Sequence, residues 1–204
     1  MSRKGLVYVV DDDESMREGA SSLIRWAGYE VREFGSADEF LAMARPNTSS
    51  CLVCDVSMPG LSGLDLQRKL LEGGEYLPII FITGLGDIPT TVRAMKAGAV
   101  EFLSKPFDAD ALLDAITNAV ETDSARRTER EKRNEIQALW NALTPRERQV
   151  ATSILGGKLN KQVAAELGVS EITVKIHRRN ALRKMRASSV IALSRLIEPL
   201  RLPD

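Results

Sequence analysis

Acidic side chains follow two of the short apolar runs in the first half of the chain. Asp11 and Asp12 come directly after LVYVV, and Asp55 ends the run CLVCD. Two carboxylates about 5 Å apart repel each other by about 3 kcal/mol at an effective dielectric of 20, so such a cluster favours a bound cation. Ligands that are all oxygen suit a hard ion, and Mg²⁺ is the best match. The neighbouring Asp13 and Glu14 are better suited to the start of a helix near Ser15.

Two further polar residues end later apolar runs. Thr83 closes LPIIFIT, and Lys105 follows VEFLS. Three carboxylates, a hydroxyl and an ammonium are the parts needed to handle a phosphoryl group, because the metal and the lysine counter its charge. Alone, Asp55 is explained equally well as a strand-end cap and Lys105 as a solvated surface lysine. Their combination favours phosphoryl chemistry.

The elements that must position these residues alternate regularly. The predicted strands cover residues 6–10, 29–34, 51–55, 77–83 and 100–104. The amphipathic segments between and after them lie near residues 15–27, 37–44, 63–72, 89–97 and 107–121. This alternation predicts an α/β fold, a (βα)5 doubly wound parallel sheet of the flavodoxin-like type. With right-handed crossovers, strands 1 and 3 can be neighbours, and ligands bind at the carboxyl ends of the strands.

Cys51 and Cys54 form a C-x-x-C, a spacing also found in redox pairs. On a strand, residues three apart face opposite sides of the sheet and lie about 10 Å apart, which is beyond the reach of a disulfide. We therefore predict two buried free thiols.

The net charge of zero conceals an asymmetry between the two halves of the chain. Residues 1–122 hold 11 Lys and Arg against 19 Asp and Glu, and residues 123–204 hold 17 against 9. These balances of −8 and +8 indicate that only the second half approaches nucleic acid. The apolar runs are too short for a signal peptide or a membrane span, so we expect a cytoplasmic protein without a membrane partner.

The chain between the two halves is polar but helical in pattern. Residues 121–135 hold almost no apolar side chain and neither Gly nor Pro, which predicts a solvated helix continuing from one that begins near Asp108. A disordered linker is the alternative. We predict three parts: a phosphoryl-handling domain over residues 1–122, a helical linker over 123–141 and an all-α four-helix domain over 142–204.

The four-helix part contains a helix-turn-helix pattern, two short helices joined by a turn at Gly168. On a helical wheel of residues 170–185, one stripe should face the core: Val174, Ala181, Leu182 and Met185. The opposite side carries Ile172, Ile176, Arg179 and Arg183. Isoleucines beside cations are unusual on a solvated helix but suit the major groove, where arginine can bind guanine and isoleucine can contact thymine methyl groups.

Four motifs in order resemble the receiver domain of two-component response regulators: the Asp11-Asp12 pair, DVSMPG at 55–60, Thr83-Gly84 and SKPF at 104–107. The stretch from LTPRE through NKQVAAELGVSEITVKIH resembles the LuxR-type helix-turn-helix. Together they are similar to regulators of the FixJ and NarL class, in the layout of the FixJ and StyR type.

The receiver resemblance implies that Asp55 accepts a phosphoryl group from a sensor histidine kinase. Asp11, Asp12, Asp55 and the backbone carbonyl of Ser57 would hold Mg²⁺, while Thr83 and Lys105 would bind the phosphoryl oxygens. It also implies a switch in which Thr83 moves toward the phosphoryl group and Phe102 turns inward. A Phe102 that is simply part of the core is the alternative. The segment 88–103 would then be the surface on which phosphorylation promotes homodimers.

The LuxR-type resemblance supports Lys175, Ile176 and Arg179 as base contacts. Other side chains on the same two helices suit DNA phosphates: Lys161, Thr173, His177 and Lys184. His177, the only histidine, could equally be packed at the edge of the core.

We therefore expect a phosphorylation-dependent transcriptional regulator that dimerises on a two-fold promoter site, with RNA polymerase as a further partner. The alternative is a DNA-binding regulator that does not depend on phosphorylation and uses its receiver only to dimerise. We do not expect an enzyme. Aspartyl-phosphate phosphatases have a D-x-D motif at the nucleophile, with a second carboxylate that acts as acid and base. Here the residue two positions after Asp55 is Ser57, so that second carboxylate is absent.

Overall fold

The chain divides between Arg127 and Thr128 into two compact units. The computed structural model describes residues 4–84 and 88–200, without the side chains of residues 88–90 and 93. Each unit is considered by itself.

The first unit is built on five parallel strands in the order β2-β1-β3-β4-β5. The strands are β1 (Leu6–Val10), β2 (Glu30–Phe34), β3 (Ser50–Asp55), β4 (Ile79–Thr83) and β5 (Glu101–Ser104). The helices between them are α1 (Glu14–Trp26), α2 (Ala37–Ala42), α3 (Gly63–Glu72) and α4 (Ile88–Lys96). The predicted fold class is confirmed, and strands 1 and 3 are neighbours as expected.

Both faces of the sheet are buried, and the side chains along each strand alternate between the two faces. Tyr8 and Phe81 pack into one core, whereas Val9 and Ile80 pack into the other. The two thiols follow the same alternation: Cys54 lies in the first core and Cys51 in the second, and both are free. Burial raises the pKa of both thiols well above the usual range. They are inert core residues, as predicted.

Helix α5 (Ala109–Asn141) runs without interruption through the segment predicted to be a helical linker. Its Asp123 is only 2% exposed and accepts hydrogen bonds from Ser50 N at 2.9 Å and from Arg127 Nε at 2.6 Å. Arg127 also donates to Asn47 Oδ1 at 2.6 Å. Because of these contacts, the first unit extends several residues beyond position 122. Within the described ranges no helix, α5 included, is long and apolar enough to cross a membrane.

The second unit contains four short helices after the end of α5. They are α6 (Pro145–Leu155), α7 (Asn160–Leu167), α8 (Glu171–Lys184) and α9 (Val190–Ile197), and a 3₁₀ turn follows at Glu198–Leu200. Thr144 and Glu147 form the capping box at the start of α6. Gly168 ends α7 with a φ of +66°, a conformation that favours glycine, and so sets the turn into α8.

A substitution at the start of α3 tests how closely this helix packs behind Asp55. A Cβ atom on Gly63 would lie 2.3 Å from the Asp55 carbonyl oxygen and 3.1 Å from Cys54 Sγ. We expect Gly63→Ala to lower the free energy of unfolding by about 1–3 kcal/mol, measured by urea denaturation, because the backbone must move.

Gly19→Ala is the matched control. It lies inside α1, where a Cβ meets no atom within 4 Å, and should stabilise the protein by up to about 1 kcal/mol. Equal stability of Gly63→Ala and the wild type would contradict the close packing.

Candidate functional site

The carboxyl ends of β1 and β3 bring two buried carboxylates to one edge of the sheet. Val10 pairs with Cys54 across these strands, and Asp11 and Asp55 come next on each. Both aspartates are 6% exposed. Lys105, just after β5, places its Nζ 2.8 Å from Asp11 Oδ2 and 2.9 Å from Asp55 Oδ1. One ammonium therefore bridges the two carboxylates.

The backbone holds the remaining oxygens of this pair. Asp55 Oδ2 accepts from Ser57 N at 2.9 Å, and Asp11 Oδ1 accepts from Asp13 N at 2.9 Å. Arg17 donates to the Asp11 carbonyl oxygen at 2.7 Å. Each carboxylate thus has one oxygen fixed by the chain and the other bound by Lys105.

The site perturbs the proton affinity of its groups. Burial raises the pKa of Asp55, and the hydrogen bond and charge of Lys105 offset only part of that effect. Burial alone would lower the pKa of Lys105, but its hydrogen bonds to Asp11 and Asp55 outweigh burial, so that pKa is raised. Lys105 is therefore a stable cation, and Asp55 is a more basic carboxylate than an exposed aspartate.

Thr83 and Lys105 are joined through the backbone at the same edge. Thr83 is fully buried at the end of β4, and its carbonyl accepts from Lys105 N at 2.7 Å. The Lys105–Pro106 peptide bond is cis. Phe102 on β5 is half-buried, with its ring 6.3 Å from that of Phe81. Phe102 thus packs at the edge of the core.

The donor set fits a hard divalent cation. Two buried carboxylates share one ammonium, which leaves a net negative charge on oxygen atoms, the ligand type that Mg²⁺ prefers. Asp12, the third predicted carboxylate ligand, is exposed beside Asp11. In residues 4–84 and 88–200, no three or more Asp, Glu, His or Cys side chains gather into a metal-binding group. The structure therefore brings Asp11 and Asp55 together and leaves Asp12 at the surface.

Helix α8 has the two faces expected from its sequence. Val174, Ala181 and Met185 are fully buried, and Leu182 is half-buried against the core that holds Ala181 and Met185. The outward face exposes Lys175 and Arg179, together with two isoleucines, Ile172 at 70% and Ile176 at 46%. Apolar area and positive charge are therefore presented together.

Three of the residues expected to bind phosphate keep some exposure to solvent. Lys161 is exposed on α7, and Thr173 and His177 are half-buried on α8. Thr173 is tied to the N-cap residue of α8, Ser170, since its N–H donates to Ser170 Oγ at 3.1 Å and the two hydroxyls are 2.9 Å apart.

Lys184, the fourth expected phosphate ligand, already has a partner. Its Nζ lies 2.6 Å from Glu147 Oε2, and Glu147 is only 4% exposed. Burial alone would raise the pKa of Glu147, but hydrogen bonds from Lys184 and Thr144 lower it. The ion pair gives Lys184 a structural role that no local sequence pattern indicates.

Arg178 was not among the DNA-binding residues predicted from the sequence. This half-buried residue donates from Nη1 to Asn160 Oδ1 at 3.3 Å, on the side of α8 that faces the start of α7. Arg178 lies three residues after Lys175 and four before Leu182, and residues at these spacings share a helix face. This spacing could have indicated from the sequence that Arg178 lies beside Lys175.

Each of the two units matches a known protein family. Residues 7–117 match the response regulator receiver domain, and residues 141–197 match the bacterial regulatory proteins of the luxR family. The chain belongs to the LuxR-type response regulators. Regulators of this FixJ-like kind are phosphorylation-dependent two-component transcription regulators, and neither matching family is a family of enzymes.

The similarity extends over nearly the whole chain. Nodulation protein W of Bradyrhizobium diazoefficiens is 52% identical over 98% of this chain and 88% of its own length. The transcriptional regulatory protein FixJ of Rhizobium meliloti is 40% identical over 93% of each chain. The solved structure of the response regulator StyR is 49% identical, with a TM-score of 0.88 over 95% of this chain and 98% of that one. The family resemblance inferred from the motifs is confirmed.

The ion pair at α6 generates a stability prediction. Lys184→Gln leaves Glu147 buried without its cation, so we expect the free energy of unfolding to fall by about 1–3 kcal/mol. The pKa of Glu147 is lowered in the folded protein, so the stabilisation is present above its unfolded pKa and is lost as the pH falls through the folded pKa.

The difference in urea stability between wild type and Lys184→Gln should therefore shrink in acid. Arg186→Gln, which removes an exposed ion pair with Glu135, serves as control and should change stability by less than about 1 kcal/mol. A Lys184→Gln variant as stable as the wild type at neutral pH would contradict the structural role.

Proposed function

We propose that Asp55 is the phosphoacceptor of this regulator and takes its phosphoryl group from a sensor histidine kinase. The observation that carries the proposal is the single ammonium of Lys105 held between Asp55 and Asp11. An Asp55 oxygen attacks phosphorus, the bond from phosphorus to the donor nitrogen breaks, and an acyl phosphate forms with the protein as its own substrate.

The other residues of the site supply charge and hydrogen bonds to the transferred group. Asp11, Asp12, Asp55 and the Ser57 carbonyl would hold Mg²⁺, which neutralises phosphoryl oxygens when bound. Lys105 would provide a positive charge, and the Thr83 hydroxyl would provide a hydrogen bond. Because Lys105 is already in contact with Asp55, its cation is in place before the phosphoryl group arrives.

Phosphorylation then acts through α4 and β5. A movement of Thr83 toward the new phosphoryl group makes room for Phe102 to turn inward from its half-buried position. On α4, Val92 and Met95 are 44% and 43% exposed, and such apolar area supports a homodimer surface within residues 88–103. The side chains of residues 88–90 and 93, which the predicted surface includes, lie outside the described part of the chain.

The dimer presents two α8 helices to a two-fold promoter site. Lys175, Ile176 and Arg179 contact base edges from the exposed face, and Lys161, Thr173 and His177 contact phosphates. RNA polymerase is the further partner that such a regulator would need at a promoter. The site of action is the cytoplasm, where the promoter DNA lies.

Phosphorylation from a small donor tests the proposal directly. With acetyl phosphate and Mg²⁺, intact-mass spectrometry should show one added phosphoryl group on the wild type and none on Asp55→Asn, because the amide lacks the nucleophilic oxygen. Chelation of Mg²⁺ should abolish the labelling of the wild type.

Asp38→Asn removes an exposed carboxylate on α2 and serves as the matched control, with labelling like that of the wild type. Equal labelling of Asp55→Asn and the wild type would show that the acceptor lies elsewhere.

A further inference from the structure

A positively charged cleft of about 470 Å³ lies in the second unit, between the start of α7, one side of α8 and the turn into α9. Four cations line it, together with two neutral polar residues: Lys175, Arg178, Arg179, Arg183, Asn160 and Ser188. No acidic side chain is among the described residues that line it. The cleft therefore has the charge of an anion site.

The cations of this cleft differ from other cations of the same unit. Lys158, Lys184 and Arg186 each have a carboxylate partner within 2.8 Å. Among residues 4–84 and 88–200, no carboxylate forms an ion pair with any of the four cations in the cleft. Like charges that converge without a counterion repel one another, so a bound anion would relieve the repulsion.

Arg178 is the cation that the fold holds in place. It is half-buried, and its Nη1 donates to the neutral Asn160 Oδ1 at 3.3 Å. An amide oxygen orients a guanidinium without neutralising its charge. Arg178 therefore keeps a full positive charge in a defined position, and its other N–H groups can serve an anion in two-point contact.

We infer that this cleft binds a backbone phosphate of duplex DNA, with Arg178 as the main ligand and Asn160 as its positioning residue. The inference rests on the proposed function, in which α8 enters the major groove. Lys175 and Arg179 belong both to the cleft and to the exposed face of α8. A phosphate in the cleft would therefore border the groove that α8 occupies, and it would fix the position of the helix without specifying sequence.

The lining favours DNA over a free nucleotide. No aromatic side chain is present among the lining residues, and stacking on aromatic rings is a common way for proteins to hold an unpaired base. The remaining lining residues, Leu182 and Ala187, are small or aliphatic. What the cleft offers is charge and hydrogen-bond donors, which suits a phosphodiester.

The test compares two arginine-to-glutamine variants of the full chain, each treated with acetyl phosphate and Mg²⁺. Arg178→Gln removes the proposed ligand, whereas Arg186→Gln removes one positive charge from the same unit outside the cleft. Affinities for a selected duplex and for a random duplex are measured over a range of salt concentrations. Thermal unfolding checks that both variants are folded.

For Arg178→Gln we expect the slope of log affinity against log salt to become shallower by about 1, with affinity about tenfold lower at 0.1 M salt for both duplexes. Arg186→Gln should keep the wild-type slope. An unchanged slope in Arg178→Gln, while the wild type binds DNA, overturns the phosphate assignment and leaves the proposed function intact.

Two other results are equally informative. A change in which duplex Arg178→Gln prefers would place this residue on base edges and overturn the assignment. Tight binding of inorganic phosphate at constant ionic strength, lost in Arg178→Gln, would show that a free anion occupies the cleft instead. If the phosphorylated wild type fails to bind either duplex, the proposed function itself is wrong.

Discussion

The ammonium of Lys105, held between Asp11 and Asp55, is the interaction on which the first unit's chemistry depends. A parallel sheet with β1 beside β3 forces two carboxylates to the same edge, where both are 6% exposed. Their repulsion would be costly without a cation, and one lysine compensates only half of their charge. The remaining negative charge is what a divalent ion can neutralise. The backbone N–H of Lys105 also donates to the Thr83 carbonyl, which joins the end of β5 to the end of β4.

The two units have opposite unmet charge, which the net charge of zero conceals. The first unit gathers carboxylates that require a cation, and the second gathers guanidinium and ammonium groups that require an anion. In both, a polar contact orients the group that meets the ligand. Ser57 N holds one oxygen of Asp55, and Asn160 holds the guanidinium of Arg178. Neither contact neutralises the charge of the group that it orients. The Asp55 carboxylate therefore remains available to a phosphoryl group, and the Arg178 guanidinium to a phosphate.

Much of this arrangement could be predicted from sequence, because the signals are local. Alternating apolar runs define the strands, and polar residues directly after parallel strands must meet at one edge. The family motifs then led us to propose roles for Asp55, Thr83 and Lys105. Contacts between distant residues carry no such signal. Glu147 completes the local capping box of α6, but its ion pair with Lys184, 37 residues later, depends on the packing of α6 against α8. The inward orientation of Asp11 and the outward one of Asp12 depend on backbone geometry after β1. Asp123 extends the first unit beyond the position where the charge balance changes, because its partner Ser50 lies on another element.

If phosphorylation of Asp55 controls assembly on DNA, the oligomer mass and the DNA affinity must change together, so both are measured in one sample. The oligomer mass and DNA affinity of the full chain are compared with and without beryllium fluoride and Mg²⁺, a stable mimic of the phosphoryl group. We predict a shift from monomer to dimer together with tighter binding to a two-fold promoter site, and no response in Asp55→Asn. A wild type that is dimeric and binds DNA equally well without the mimic would contradict control by phosphorylation and favour a regulator that does not depend on it.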